Sequence, residues 1–200
     1  MKTITNLVLM GLAAVSLLSA SVAAQNTTFN MVPSAGAVAA NCIPNAKGRV
    51  TINSIGIAEV MHVEASGLPA NTDFDAFVIQ LPSAPFGLSW YQGDLKTDST
   101  GKGVADFIGR FSVETFIVAP GSGPAPVVFN NPPFPDASSN PATGPVHTYH
   151  VGLWFNSPTD AATAGCPNTV TPFNGQHNAG IQALSTRNFA NLNGPLRKIQ

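Results

Sequence analysis

Charge is scarce in this chain of 200 residues: Asp, Glu, Lys and Arg make up 10% of it, against about a quarter in an ordinary globular protein. Its basic residues are scattered, and only Arg197-Lys198 stand together. With no stripe of cations to follow a phosphate backbone, nucleic acid is not an expected partner. Cysteine is limited to Cys42 and Cys166. There is no Gly-x-Ser-x-Gly elbow, His-Glu-x-x-His, Cys-x-x-Cys, P-loop or dinucleotide fingerprint. The common signatures of nucleophilic, zinc, thiol-redox and nucleotide chemistry are therefore missing, and no cofactor is expected. Beyond residue 24 no apolar run approaches 18 residues, so no membrane anchor is expected. No repeat of 20–50 residues occurs, which argues against a solenoid or propeller.

The beginning of the chain is distinctive. Lys2 is its only charge, an apolar run extends from Leu7 to about Leu18, and small residues follow through Ala23-Ala24. A basic start, a short apolar stretch and an A-x-A-like ending predict a secretory signal peptide over 1–24. No cysteine sits near its end, which argues against a lipid anchor, so the product is expected to be secreted or periplasmic. Removing Lys2 with the leader leaves eight basic against ten acidic residues, a net charge of −2. In an oxidising compartment an isolated pair of cysteines most simply forms one disulfide, here Cys42–Cys166. Asn26-Thr27-Thr28 matches an N-glycosylation sequon, which has meaning only in a eukaryotic secretory pathway.

Residues 25–200 are read as one all-β domain, an Ig-like or Greek-key antiparallel sandwich with one short helix. The chain is rich in turn formers, with 18 Gly and 17 Pro, and Phe, at 12 residues, dominates an aromatic content of 8%. Strand patterns succeed one another: Val50 and Ile52 with Ile55/Ile57; Val60, His62 and Glu64 against Met61, Val63 and Ala65; Phe74, Ala76, Val78 and Gln80 against Asp75, Phe77, Ile79 and Leu81. Leu88 to Tyr91, Val104 to Ile108, Thr115 to Val118 and Val146 to Phe155 complete the set. Residues 25–47 read as an irregular lead-in with one early strand. Ser157-Pro158 predicts a helix N-cap with proline at the first helical position, and Gly165 its end, just before Cys166. Eight of the prolines fall in 120–145, which predicts a long Pro/Gly-rich loop.

Two turn-bearing stretches, Val63-Glu64-Ala65-Ser66-Gly67-Leu68-Pro69-Ala70-Asn71-Thr72 and Gly93-Asp94-Leu95-Lys96-Thr97-Asp98-Ser99-Thr100-Gly101, carry a resemblance. Over about residues 48–118 the chain resembles exported bacterial β-sandwich domains of the CHRD type and the extracytoplasmic sandwich of anti-sigma factors. Asp75-Ala76-Phe77 stands where the CHRD pattern has a His-x-His pair. The resemblance implies a sandwich and export, and brings no catalytic residue with it.

Candidate chemistry is sparse. His147 and His150, three apart on one expected strand, should point to opposite faces, which makes them weak metal candidates; no metal site is expected. The carboxylate pairs Asp73/Asp75 and Asp94/Asp98 suit turn capping; such pairs could hold Ca²⁺ but no Asp-x-Asp-x-Asp-Gly loop is present, and a glycosidase would need two carboxylates opposed in space. Trp90-Tyr91 and Trp154-Phe155 are adjacent aromatics on strands, so one of each pair should face outward, and Trp90, Tyr91 and Trp154 are the candidate ligand-binding residues. The expected role is binding or structural rather than catalytic, with carbohydrate or a cell-surface component as partner. An exported hydrolase or metal-dependent enzyme is the alternative. A self-assembling homo-oligomeric surface component is the third reading.

Overall fold

Alternation along Val50–Ile52, Met61–Ala65 and Phe74–Val78 puts every second side chain on one side of its strand, and those sides converge on one core. In the computed structural model, which describes residues 26–116, 144–173 and 177–199, the strands are β1 (Asn26–Pro33), β2 (Lys47–Ser54), β3 (Glu59–Ser66), β4 (Asp73–Ile79), β5 (Ser89–Lys96), β6 (Gly103–Gly109), β7 (Val113–Phe116), β8 (Gly144–His147), β9 (His150–Phe155), β10 (Thr171–Phe173), β11 (His177–Ala179) and β12 (Gln182–Ser185). Helices α1 (Ala35–Ala39) and α2 (Pro158–Thr163) and two short 3-10 turns near the C-terminus complete the order. The leader 1–24 lies outside the described residues, as does the Pro/Gly-rich loop apart from 144–145, which belong to β8.

The all-β class holds. Eight strands form one antiparallel sheet in the order β5-β4-β9-β12-β1-β2-β3-β6. The sheet curls until its end strands meet again at the bridge between Thr97 and Gly103, which makes it nearly closed and barrel-like. Phe29, Met31, Val50, Ile52, Met61 and Val63 from one half pack inside it against Phe74, Val78, Leu95, Val151, Leu153, Phe155 and Leu184 from the other.

Four local readings change. Ile55 and Ile57 do not extend a strand; they sit in the β2–β3 turn, 57% and 92% exposed. The lead-in contains a second helix, α1, because Ser34 caps it: its hydroxyl accepts from Ala37 N at 3.1 Å and donates to the Gln182 carbonyl. The stretch expected as one strand from Val146 to Phe155 is two, broken at Thr148-Tyr149. The strand begun at Ser89 runs on to Lys96 through residues read as turn.

Helix α2 forms as expected, with Ser157 accepting from Asp160 N at 3.0 Å, Pro158 in the first turn and Gly165 at φ +77°. Cys166 follows and is bonded to Cys42, with Cα atoms 5.2 Å apart and a sequence separation of 124. The two turn-bearing stretches, 63–72 and 93–101, dock on each other. Thr97 Oγ1 donates to the Pro69 carbonyl at 2.6 Å, Asn71 N to the Asp98 carbonyl at 3.0 Å, and Leu68 N to the Gly101 carbonyl at 3.3 Å.

Candidate functional site

Strand β5 is one end of the sheet. Beyond the Thr97–Gly103 bridge its outer edge makes no ladder with β6 among the described residues, although β6 runs beside it and sets the Phe107 ring against Gly93. Its pairing with β4 is interrupted once. Ala76 faces Gly93 but Phe77 faces Tyr91, so Gln92 is the extra residue of a β-bulge. Glycine is required beside it: Gly93 has φ +148°, and a Cβ there would lie 2.8 Å from the Phe107 ring. Register then assigns faces. Tyr91 shares the outer face of Phe77, while Trp90 stands opposite Val78, whose side is the inner one. The two rings therefore leave the edge strand on opposite faces.

Both stay accessible, Trp90 at 42% and Tyr91 at 47%. Tyr91 packs on Phe77 with ring centroids 5.5 Å apart, and its hydroxyl donates to Asp94 Oδ1 at 2.5 Å. Partial burial first, then that hydrogen bond and the charges of Asp94 and Asp75, push the phenol above its ordinary range. It is therefore a neutral donor across physiological pH. Asp75 is buried directly opposite Asp94 on the same face. By sequence spacing Asp73 goes with Asp75 and Asp94 with Asp98. The bulge and register instead put Asp75, Asp94 and Tyr91 together, and no local spacing signals that.

Trp154 is not an exposed platform. It is 1% exposed, with Phe77 at 5.3 Å and Phe86 at 5.0 Å between ring centroids, both edge-on. Its neighbour Phe155 is fully buried in the main core. The expectation that one of this pair faces outward fails because β9 is central and covered on both sides: the main core lies on one, and Phe77, Ile79, Phe86 and Ala179 on the other.

The histidines do not converge. His147 ends β8 with Nδ1 donating to the Ser112 carbonyl at 3.1 Å. His150 opens β9, fully buried; its Nε2 donates to the Asn191 carbonyl, which leaves Nδ1 to accept from the Thr186 hydroxyl at 2.9 Å. Burial outweighs these hydrogen bonds and lowers its pKa. Both ring nitrogens are thus engaged within the protein. His62 pairs with Asp106 at 2.6 Å on the exposed side of β3 and β6. Among the described residues no group of three His, Cys, Asp or Glu is placed to hold a metal ion. Asp98 caps its turn, accepting from Thr100 N and Oγ1, each at 2.7 Å, and Asp73 meets Lys96 at 3.4 Å.

Comparison with known proteins returns no matching family model, no matching curated sequence and no matching solved structure.

Proposed function

We propose that the chain is an exported binding protein whose β5 edge takes glycan, with Trp90 and Tyr91 stacking on sugar rings and Asp94 accepting from their hydroxyls. The observation that carries this is the exposure of those two rings, since the other described aromatic side chains are buried or half-buried. Rings cost least to leave in water when a ligand covers them, and aromatic residues are the usual anchors of binding surfaces. Export by a leader over 1–24, one domain over 25–200 and a secreted or periplasmic location belong to the same proposal. The Cys42–Cys166 disulfide supports an oxidising compartment, and among the described residues no helix is long and apolar enough to cross a membrane. The proposal includes a sandwich of CHRD-like or anti-sigma-factor type, with the two halves of the curled sheet as its layers; the shared core between them supports it.

A glycan array probed with residues 25–200 tests this, followed by calorimetry on the best neutral glycan. W90A and Y91A should each weaken binding about 10-fold, the range of an aromatic anchor. No hit on the array, or a hit that neither substitution weakens, would sink the reading.

One observation favours a second reading, an exported hydrolase: Asp75 and Asp94 face each other across β4 and β5 beside the exposed rings. Directly opposed strand residues have Cβ atoms about 5 Å apart, and a pair of carboxylates is what glycoside hydrolysis uses. Turnover of a bound glycan that D75N and D94N each abolish would establish it.

A further inference from the structure

On the opposite half of the sheet, far along β6 from the aromatic edge, the outer surface holds a groove of about 500 Å³. Its geometry follows from register. The outward row Asn30–Arg49–Glu64–Val104 runs across β1, β2, β3 and β6, and Lys47 and Ser66 face each other in the next outward row, beside Lys102. Between these rows lies Met31–Gly48–Ala65–Gly103, whose side chains are inward and mostly small, so the floor is backbone. Long side chains on both walls deepen a channel that crosses four strands, about 15 Å at the usual strand spacing.

The channel is where this charge-poor chain concentrates its cations. Of the eight basic residues beyond the leader, Lys47, Arg49 and Lys102 border it, against the single carboxylate of Glu64. All three are exposed, and none takes part in the ion pairs found among the described residues. The nearby Asp98 carboxylate is occupied by its own turn. Lys47 and Lys102 lie two strands apart, about 10 Å, too far to converge on one small anion but suited to successive charges on a polymer. No aromatic ring lines the channel, so a nucleobase finds nothing to stack on. Asn30 and Ser66 offer hydrogen bonds to hydroxyl groups.

We infer that this groove binds an anionic polysaccharide, a chain of carboxylated or sulfated sugars lying across β1, β2, β3 and β6. The inference rests on the glycan reading above and extends it to a second, ionic site remote from Trp90.

The test measures binding of residues 25–200 to alginate, heparin, neutral dextran and single-stranded DNA at low and moderate salt. Alginate or heparin should bind, more weakly as salt rises. The double variant K47Q/K102Q should lose at least about 10-fold, a loss equal to ~1.4 kcal/mol, while K96Q/K198Q, with the same change in net charge, should lose less than about 2-fold. W90A should leave this binding unchanged. The inference is overturned if neither polyanion binds, if the two double variants lose alike, if K47Q/K102Q loses nothing, or if DNA binds as tightly as the glycans. Neutral glycan binding that needs Trp90 without any polyanion binding would defeat the groove and leave the edge site standing. Polyanion binding through Lys47 and Lys102 without neutral binding would do the reverse.

Discussion

Cys42 and Cys166 are presented to each other by the same device. Each follows a single helical turn, α1 or α2, and each backbone N–H donates back to a buried helix carbonyl, Ala37 at 3.1 Å and Ala161 at 2.9 Å. Each is preceded by a residue in the left-handed region, Asn41 at φ 52° and Gly165 at φ 77°. The helices thus aim the two sulfurs before the bond forms. Closing a loop of this length is worth about 4–5 kcal/mol in chain-entropy terms. C42S/C166S should lower the unfolding free energy by about 2–5 kcal/mol, read from urea titrations. A Cβ at Gly165 meets nothing within 4 Å, so G165A should cost only its conformational strain, about 1 kcal/mol. A loss under about 1 kcal/mol in the cysteine variant would show that packing alone holds the two helices.

Trp154 and Trp90 should separate stability from binding. Trp154 fills the layer between Phe77 and Phe86, so W154A should cost about 3–5 kcal/mol. W90A, at an exposed edge position, should cost less than about 1 kcal/mol while abolishing most glycan affinity. Chemical denaturation of both variants beside the calorimetry checks the split. A large stability loss in W90A would mean that its ring is a structural part of the seam between β5 and β6.

The strand faces were legible from residue order. Met61, Val63 and Ala65 are buried while His62 and Glu64 are not, as period two demands. Helix α2 was legible because its start and stop signals are local, and the disulfide because only two cysteines exist. What depended on neighbours in space was not. Whether Trp154 is covered depends on β9 lying between β4 and β12, which no local pattern encodes. The Asp75–Asp94–Tyr91 cluster needs the bulge at Gln92, and the cationic groove needs four strands in register, so both stay invisible in a linear reading. The stop at Ser54 was hidden because Ile55 and Ile57 keep the apolar alternation going through a turn.

Gly67 and Gly101 each sit where two backbone segments come close, Gly67 against the segment before β2 and Gly101 against the other docked turn. At φ +69°, a Cβ on Gly67 would lie 2.2 Å from the Asn45 carbonyl oxygen; at φ +75°, one on Gly101 would lie 2.0 Å from that of Leu68. Neither obstacle is a flexible side chain, so the backbone itself must move. G67A and G101A should each cost at least about 2 kcal/mol, a melting-temperature drop of roughly 4–8 °C for a domain of this size. Gly56 separates the two causes: it has φ +92° but open space around it, so G56A should cost only about 1 kcal/mol. Equal drops in all three variants would assign the whole effect to backbone conformation and none to the close approaches at Asn45 and Leu68.

His150 gives the fold a pH dependence of definite sign. Burial lowers its pKa below the value of about 6.5 that it has in the unfolded chain. The folded state therefore favours the neutral ring, and protonation favours unfolding. This contribution to stability is complete above about pH 6.5 and is lost as pH falls through the lower folded value. Melting temperature should decline between pH 7.5 and 5. H150Q should be less stable at pH 7.5, because its neighbours Thr186 and Asn191 lose a fitted partner, yet it should decline less steeply over the same range. A wild-type curve no steeper than that of H150Q would mean that the buried imidazole takes up its proton without leaving the fold.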